Sequence, residues 1–243
     1  MAAPADNGLL IKPIAYIYND YQSKFGVPRQ SGLVDDVVSR VVLLPQYRRA
    51  EALRGLDGFS HIWLIWHFSA GFAAGKGASW QPTVRPPKLG GNTRVGVFAS
   101  RSPNRPNPLG LSAVRLLAVE HNAEDAPVLL VAGADILSGT PIFDIKPYVP
   151  YADSLPDASG GFAVPGDGHI LAVDFPPALL AKVPIDKQPA LCAVLAADPR
   201  PAYQKDETRL YGLSFGGLNV RFRVRGGRLT VCEISPLDKK TDF

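Results

Sequence analysis

Short apolar runs, separated by proline and glycine clusters, recur through the first 150 residues of the chain. They are LLIKPIAYIY (9–18), DVVSRVVLL (36–44), FSHIWLIWHFS (59–69), TRVGVFAS (93–100), LSAVRLLAVE (111–120), PVLLVAGADIL (127–137) and PIFDIKPYV (141–149). Closely spaced runs of this kind are typical of strands in a closed or nearly closed sheet. Between the second and third runs, QYRRAEALRGL (46–56) predicts a helix-like insertion.

The rest of the chain has a different pattern. Residues 154–169 are dense in proline, glycine, serine and aspartate, which predicts a linker or surface loop. The segments PPALLAKV (176–183) and KQPALCAVLAAD (187–198) then predict helices. We therefore expect a mainly β fold, with a small β-barrel domain over 1–155 followed by a smaller α+β C-terminal domain over 156–243.

The segment NVRFRVRGGRLTVCEI (219–234) predicts a β-hairpin, because Gly226 and Gly227 suit a two-residue turn and strict alternation flanks them. Five apolar residues are expected on its buried face: Val220, Phe222, Val224, Leu229 and Val231. The opposite face would hold four arginines with no acidic residue among them: Arg221, Arg223, Arg225 and Arg228. Such a row is either a solvated polar face or a surface that contacts RNA phosphates.

Composition limits the functional classes. The 243 residues are 46% hydrophobic and 20% charged, which is typical of a globular chain with a sizeable core. No stretch approaches the roughly 18 consecutive apolar residues of a membrane helix, and no signal peptide is recognisable, so a cytoplasmic location and no membrane partner are expected. Cys192 and Cys232 are far apart, which predicts reduced thiols and no metal site. The net charge of +4 permits a polyanionic partner.

Two loops combine stiffness with cationic or amide groups. In RSPNRPNPLGLS (101–112), three prolines fix the backbone, and Arg101 and Arg105 supply planar donors suited to a carboxylate or phosphate. In KFGVPRQSGL (24–33), Arg29 and Gln30 follow a proline. We interpret both as preformed binding loops, with a purely structural loop as the alternative for the first.

A third polar cluster lies in ADILSGTPIFDIKPY (134–148), which runs from one strand through a turn into another. Asp144, Lys146 and Tyr148 alternate along the second strand and should share one face, with Ile145 on the other. Because Pro147 cannot donate to a ladder, this strand should be an edge or end there.

Taken together, these segments resemble the TsaA/TrmO family of S-adenosylmethionine-dependent tRNA methyltransferases. The motifs that carry the resemblance are VPRQSGLV, FSHIWLIW, TVRPPKLGGNTRVGVFASRSPNRPNPLGLS, SGTPIFDIKPYVPYADS and DPRPAYQ. The resemblance implies a β-barrel that works as a homodimer and binds S-adenosylmethionine without a Rossmann fold. It also implies methylation of the N6 nitrogen of N6-threonylcarbamoyladenosine at tRNA position 37, in the anticodon loop, and it implies no DNA partner. The absence of a G-x-G-x-x-G motif agrees with this.

The resemblance also assigns cofactor contacts. They are Pro28, Arg29, Gln30, Ser69, Arg101, Leu111 and the segment 135–141 with Asp135, Ser138, Gly139, Thr140 and Pro141. The methionine carboxylate of the cofactor needs an anion-binding group, which either Arg29 or Arg101 can supply. Ser138 stands where the family usually has an aspartate and Ser69 where it usually has a histidine. His67, two residues before Ser69 on the same strand face, is a candidate substitute.

Methyl transfer from a sulfonium mainly requires alignment of donor and acceptor and removal of one proton. We predict Asp144 as the first candidate base and Tyr148 as the second. Lys146 would pair with Asp144 or meet the threonyl carboxylate of the substrate. The alternative is that Asp144 and Lys146 only brace a strand.

Contacts with tRNA are predicted for Arg200 and Tyr203 in the segment 198–209, and for Arg221, Arg223 and Arg225 of the hairpin. Arg200 and Tyr203 can equally fix the C-terminal domain onto the barrel. Trp63 and Trp66 are interpreted as strand packing, and His61 as a core histidine. Two functional classes remain: a tRNA methyltransferase, and a tRNA- or cofactor-binding protein of the same fold without turnover.

Overall fold

The structure is a computed structural model that describes residues 9–68, 80–163, 170–200 and 206–237. Within these ranges the chain forms a closed barrel, a four-stranded sheet and a short two-stranded ladder. Each of the two larger sheets has its own cluster of buried apolar side chains. The predicted mainly β architecture, a barrel followed by a smaller α+β part, is confirmed. No helix in the described ranges is long and apolar enough to cross a membrane.

The strands follow one another in chain order with these bounds: β1 Ala15–Tyr18, β2 Val38–Leu43, β3 His61–His67, β4 Thr83–Val84, β5 Val95–Gly96, β6 Leu109–Glu120, β7 Val128–Ala132, β8 Thr140–Pro147, β9 Ala172–Asp174, β10 Tyr211–Phe215, β11 Leu218–Arg225 and β12 Arg228–Pro236. The α-helices are α1 Pro150–Asp153, α2 Pro177–Leu180 and α3 Gln188–Ala196. Strands β1, β2, β7, β6, β3 and β8 close the barrel in that spatial order. Every barrel pairing is antiparallel.

The barrel interior follows directly from the alternation seen in the sequence. Along β3, Ile62, Leu64 and Trp66 are buried, while the intervening side chains face outward. Successive strand residues point to opposite faces, so one apolar residue in two is enough to fill the interior. His61 lies on the outer face and is exposed, so its interpretation as a core histidine is wrong.

Two segments differ from the predicted elements. The run 93–100 contributes no barrel strand: β5 pairs only with β4, and residues Val97–Ala99 form a 3-10 turn. Val97 is buried, whereas Phe98 is 73% exposed, so a single side chain anchors the run. The insertion at 46–56 forms separate 3-10 turns instead of a helix. The extended backbone of Arg49 separates the first turn from the second, and Gly55, with φ 83°, separates the second from the third.

The C-terminal sheet has the order β10-β11-β12-β9, and α3 packs against it. The predicted hairpin is confirmed: Gly226 and Gly227 have φ of 50° and 77°, as a two-residue turn between twisted strands requires. All five apolar residues predicted for its inner face are at most 3% exposed. The first predicted helix is only the single turn α2, whereas the second forms α3.

The arginine row of the hairpin differs from its prediction. The ladder shifts by one residue after Arg221, so Cys232 and Glu233 are both exposed on the partner strand. Glu233 then lies opposite Arg221, with 3.7 Å between Nη1 and Oε2. The row predicted to lack an acidic residue therefore contains one. Strict alternation cannot reveal a β-bulge, because the extra residue depends on how the two strands pair.

The loop after β1 packs into the C-terminal core. Tyr21, Val34 and Val37 are buried there, and Phe25 and Val27 pack against the same cluster. A Cβ on Gly26, which has φ +97°, would lie 2.1 Å from a methyl carbon of Leu213 on β10, so only glycine allows this approach. The amide of Gly216 also donates to the carbonyl of Asp20 at 3.0 Å. A loop from the barrel unit therefore completes part of the core of the C-terminal sheet.

Candidate cofactor site at one end of the barrel

The three segments predicted to bind the cofactor meet at one end of the barrel. Gln30, from the loop after β1, accepts a hydrogen bond through Oε1 from Arg101 Nη1. Asp135, which follows β7, accepts a hydrogen bond from Ser112 Oγ of β6 at 2.5 Å. The backbone of Ser31 also donates to Asp135, and the charge of Arg101 acts on it. Residues far apart in sequence thus form one polar cluster.

A directed hydrogen-bond chain crosses this cluster. Trp66 Nε1 donates to Ser112 Oγ at 3.0 Å. Because the indole nitrogen can only donate, the hydroxyl of Ser112 is free to give its own proton to Asp135. Ser112 is 1% exposed and Trp66 6% exposed, so both groups are held inside the barrel wall. Sequence reasoning assigned Trp66 to packing alone and missed Ser112, which stands in the sequence only as a single hydroxyl in an apolar strand.

Burial raises the pKa of the Asp135 carboxyl above its ordinary value. The hydrogen bond from Ser112, the backbone donors and the charge of Arg101 act in the opposite direction. Tyr21 lies within reach of the same charge: burial, followed by the charge of Asp135, raises the pKa of its hydroxyl. A half-buried carboxylate beside an arginine is a suitable acceptor for a cationic or hydroxyl-bearing ligand.

The strand β6 approaches Trp66 closely at Gly110. A Cβ there would lie 2.2 Å from the indole ring, so the position requires glycine. The next residue, Leu111, points to the outside of the barrel and is 56% exposed. Leu111 therefore lies beside the polar cluster in sequence but on the opposite face of the strand from Ser112.

The turn at 138–141 is tied to the end of β1. The amide of Asn19 donates to Ser138 Oγ at 3.2 Å, and the Asn19 side chain donates to the carbonyl of Ile136 at 2.9 Å. Gly139 has φ +81°, and its amide donates to the carbonyl of Ile17 at 2.7 Å. Thr140 is buried, and Pro141 is half-buried. Asn19, which sequence reasoning missed, therefore fixes the turn that carries several predicted cofactor contacts.

The two arginines of the loop 101–112 differ in their contacts. Arg105 Nη1 donates to the carbonyls of Ser100 and Ser102 at 3.0 and 3.3 Å, so its guanidinium braces the loop itself. Arg101 is exposed and points toward Gln30. Of the two, Arg101 is thus the one available to an anionic ligand.

Arg29 reaches the C-terminal domain. Its Nη2 donates to the carbonyl of Arg200 at 3.1 Å. The Arg200 guanidinium in turn pairs with both carboxylate oxygens of Asp198, at 2.8 Å each. These contacts agree with the alternative in which Arg200 fixes the C-terminal domain onto the barrel. Pro28 precedes this contact and is half-buried. Tyr203 and Ser69 lie outside the described residues.

Two of the candidate catalytic residues, Asp144 and Lys146, lie further along β8, and Tyr148 follows the strand directly. Asp144 and Lys146 form an ion pair of 2.9 Å on the outer face, and Tyr148 packs against Trp63 with ring centroids 5.5 Å apart. At about 3.3 Å per residue, Asp144 is roughly 13 Å along the strand from Thr140. Within one chain, the structure does not bring these three residues into the polar cluster.

Trp63 also differs from its interpretation as strand packing. It is half-buried on the outer face, and its Nε1 donates to Asp153 Oδ2 at 3.0 Å. The same carboxylate oxygen accepts from the amide of Val149 at 2.7 Å. Trp63 thus ties β3 to the segment after β8. Within the described ranges, no group of three or more histidine, cysteine, aspartate or glutamate side chains is arranged to hold a metal ion.

Comparison with known proteins agrees with this architecture. The family profile of the tRNA-methyltransferase O N-terminal domain matches residues 16–154, and that of the TrmO C-terminal domain matches residues 169–237. The tRNA (adenine(37)-N6)-methyltransferase of Escherichia coli is 42% identical over 231 residues, covering 92% of this chain and 96% of that protein.

A Pseudomonas aeruginosa protein, named as a putative S-adenosylmethionine-dependent methyltransferase, is 40% identical over 223 residues, which cover 87% of this chain and 91% of that protein. A crystal structure of TrmO from Pseudomonas aeruginosa matches with a TM-score of 0.75 and 32% identity, covering 95% of this chain and 98% of the other. Since both halves of the chain match and the fold agrees, the resemblance predicted from the motifs is confirmed. The chain belongs to the tRNA-methyltransferase O family.

Proposed function

We propose that this chain is a methyltransferase that uses S-adenosylmethionine to methylate the N6 nitrogen of adenine 37 in tRNA, with N6-threonylcarbamoyladenosine as the substrate form. Family membership over both halves of the chain supports the activity, and the relatives' names supply the cofactor and the tRNA position. The observation that carries the proposal is the convergence of three separate segments on the cluster of Gln30, Arg101 and Asp135.

The chemistry of this cluster fits the cofactor. S-adenosylmethionine supplies a methyl group made electrophilic by its sulfonium, together with a carboxylate and an ammonium group. Arg29 and Arg101 offer guanidinium donors for the carboxylate, and Asp135 offers an acceptor for the ammonium group or a ribose hydroxyl. Gln30, the neighbour of Arg29 in sequence, accepts a hydrogen bond from Arg101 and so joins the loop of Arg29 to that arginine. The turn with Ser138, Gly139, Thr140 and Pro141 would form its adjoining wall.

We further propose that the protein works as a homodimer through the outer face of β3, β6 and β8. This face exposes Leu109 and Leu111 by 38% and 56%, and half-buried Ile65 and Phe143 continue it. Contiguous exposed apolar surface of this kind is typical of a protein interface. In such a dimer, Asp144, Lys146 and Tyr148 of one copy would lie near the cofactor segments of the other, where Asp144 or Tyr148 can accept the N6 proton.

The chain is proposed to act as two units, residues 1–155 with the cofactor site and residues 156–243 with a tRNA contact to the anticodon loop, in the cytoplasm. Exposed Arg223 and Arg225 on the hairpin support this contact, whereas Arg221 has Glu233 opposite it. Because the Arg200 guanidinium is paired with the Asp198 carboxylate, we expect Arg200 to contribute less to tRNA binding than the exposed arginines of the hairpin.

A methyl-transfer assay tests the proposal. Purified protein is incubated with labelled S-adenosylmethionine and two tRNA preparations, one with the threonylcarbamoyl group at position 37 and one without it. Nucleosides are then identified by mass spectrometry. Methylation confined to the modified tRNA supports the proposal, and methylation of the unmodified tRNA alone would overturn the assigned substrate. Cofactor binding without methylation of either tRNA would favour the second class, a binding protein of the same fold in which Ser138 replaces the usual aspartate.

A further inference from the structure

The loop that carries Arg29 is held by the C-terminal domain at both its base and its tip. At the base, Phe25 packs against Phe222 with ring centroids 6.4 Å apart, and Gly26 lies directly against Leu213. At the tip, the guanidinium of Arg29 donates to the carbonyl of Arg200. The barrel unit also contacts the tip, where Arg101 donates a hydrogen bond to the Gln30 side chain. The position of Arg29 thus depends on residues about 170 positions further along the chain, as the 171-residue separation of the hydrogen bond shows.

The Arg200 carbonyl is presented by an unusual turn. Asp198 has φ 53°, a left-handed conformation that non-glycine residues rarely adopt, and within the described residues no other non-glycine residue has positive φ. Its carboxylate accepts hydrogen bonds from the Arg200 amide at 3.3 Å and from the Arg200 guanidinium at 2.8 Å. The side chain of Asp198 therefore stabilises the strained backbone that aims the carbonyl of Arg200 at Arg29.

The same turn is supported from its other side. The Arg200 guanidinium lies over the ring of Tyr211, with 5.9 Å between Cζ and the ring centroid. Tyr211 stacks on Phe222 at 5.7 Å, and Phe222 is the residue that holds Phe25 at the base of the loop. Contacts within the C-terminal sheet thus connect Phe25 at the base of the loop to the Arg200 turn at its tip.

We propose that Asp198 is a positioning residue for cofactor binding: it fixes the turn that holds the Arg29 guanidinium in place for the cofactor carboxylate. This inference rests on the proposed function, in which Arg29 contacts that carboxylate. The bond to Arg200 uses one of the five guanidinium N–H donors and leaves the others for a ligand. A side chain ordered before binding loses less conformational entropy when the ligand arrives, which raises affinity. The C-terminal domain is then part of the cofactor site as well as a candidate tRNA contact.

Three substitutions at Asp198 separate its two contributions. Asp198→Ala removes the hydrogen bonds and disfavours the left-handed backbone conformation. Asp198→Gly removes the hydrogen bonds but allows that conformation. Asp198→Asn allows that conformation and keeps a side-chain acceptor. Affinity for S-adenosylmethionine, measured by calorimetry on the full chain, should fall roughly three- to tenfold for alanine, by less for glycine, and little for asparagine. In the methyl-transfer assay, the KM for S-adenosylmethionine should rise while kcat stays near that of the parent chain. Asp206→Ala is the matched control, because exposed Asp206 caps the Thr208 turn in the same domain without contact to Arg29.

A double-mutant cycle with Arg29→Ala distinguishes positioning from general stability. In the Arg29→Ala background, Asp198→Ala should cause no further loss of affinity, because the group it positions is gone. Equal losses in both backgrounds would overturn the proposal, as would a lower Tm for Asp198→Ala with unchanged affinity. If Arg29→Ala itself leaves the affinity unchanged, both the assignment of Arg29 to the site and the positioning role fail. If Arg29→Ala weakens binding and Asp198→Ala does not, only the positioning role fails.

Discussion

At the scale of single residues, the chemistry of the candidate site depends on polar groups held inside an otherwise apolar wall. In the hydrogen-bond chain at this site, Trp66 donates to Ser112, and Ser112 donates to Asp135. Burial raises the pKa of the Asp135 carboxyl that accepts the last bond. The sequence predicted Asp135 as a cofactor contact through the family resemblance, and it predicted the loops of Arg29 and Arg101 as binding loops through their stiffness and charge. It could not identify Ser112, because a single hydroxyl in an apolar strand carries no indication of the partner that lies across the barrel.

The raised pKa of Asp135 predicts a specific pH dependence of stability. Because the folded state binds this proton more tightly than the unfolded chain, the stability it contributes is complete below the ordinary value of 3.8 and is lost as pH rises through the folded-state pKa. Asp135→Asn removes this loss, so the free energy of unfolding of the variant should gain on that of the parent chain over the pH range above about 4. Urea denaturation across this range measures the difference. Parallel pH profiles for the two proteins would contradict the prediction.

The Asp135→Asn variant should bind the cofactor more weakly than the parent chain, although it is expected to gain stability. Loss of the charged acceptor at Asp135 is expected to weaken S-adenosylmethionine binding about tenfold or more, since hydrogen bonds to charged groups contribute about 1.5–3 kcal/mol. Calorimetry at pH 7 measures this change. Unchanged affinity would exclude a direct contact between Asp135 and the cofactor.

Gly110 gives a prediction about packing. In Gly110→Ala the new methyl group would meet the buried Trp66 ring at 2.2 Å, and overpacking of this kind destabilises by about 1–3 kcal/mol. Chemical denaturation should show this loss. Gly96→Ala is the control, since Gly96 has φ −58° and no atom within 4 Å of the added carbon. Equal stability of the two variants would show that β6 can move away from the indole without cost.

At the scale of elements, period-two alternation predicted strands that bury one face and expose the other. It succeeded for β3 and for the hairpin, whose inner residues are all buried. It failed at 93–100, where an apolar run looks like a strand but buries one side chain. It also missed the bulge between Arg221 and Phe222, and the one in β8 where Ile65 faces Asp144 while Trp66 faces Ile142. Bulges arise from the pairing of two strands, so the sequence of one strand does not contain them.

The bulge in the hairpin divides its arginines into two kinds, and this leads to a test of tRNA binding. Arg223 lies opposite Thr230, whereas Arg221 lies opposite Glu233. If the face contacts phosphates, Arg223→Gln should lower the slope of log affinity against log salt by about 0.7–0.9, while Arg221→Gln should lower it by less. Filter binding of tRNA at several salt concentrations measures both slopes. Slopes equal to that of the parent chain would identify the face as a solvated surface.

At the scale of the whole molecule, the predicted barrel and α+β part are both present, but they are not independent bodies. Tyr21, Val34 and Val37, which come early in the chain, are buried in the C-terminal core. Sequence patterns describe local periodicity, so they cannot show that a loop of one unit completes the core of another. The three polar segments that the family motifs single out do meet in space, and their role in cofactor binding stays a prediction.

The proposed dimer is tested at the same scale. Leu111→Asp puts a charge on the outer face of β6 and should shift the protein from dimer to monomer in sedimentation velocity, because burying an unpaired carboxylate is costly. Ile185→Asp is the control, since Ile185 is 84% exposed in the C-terminal part, away from this face. A Leu111→Asp protein that remains dimeric would exclude this face as the interface.

The packing of the loop after β1 into the C-terminal core also sets an order of events during protein synthesis. Gln22 accepts a hydrogen bond from Gly217, which lies 195 residues later in the chain. At about 5–20 residues per second, the ribosome needs roughly 10–40 s to synthesise this part of the chain. The barrel strands after β1 are all synthesised within that interval, but the loop with Arg29 gains its support only when β10, β11 and the Asp198 turn are complete. A nascent chain that has finished its barrel therefore still lacks the contacts that hold Arg29. If Arg29 contacts the cofactor as proposed, we expect full cofactor binding only after the C-terminal sheet has formed.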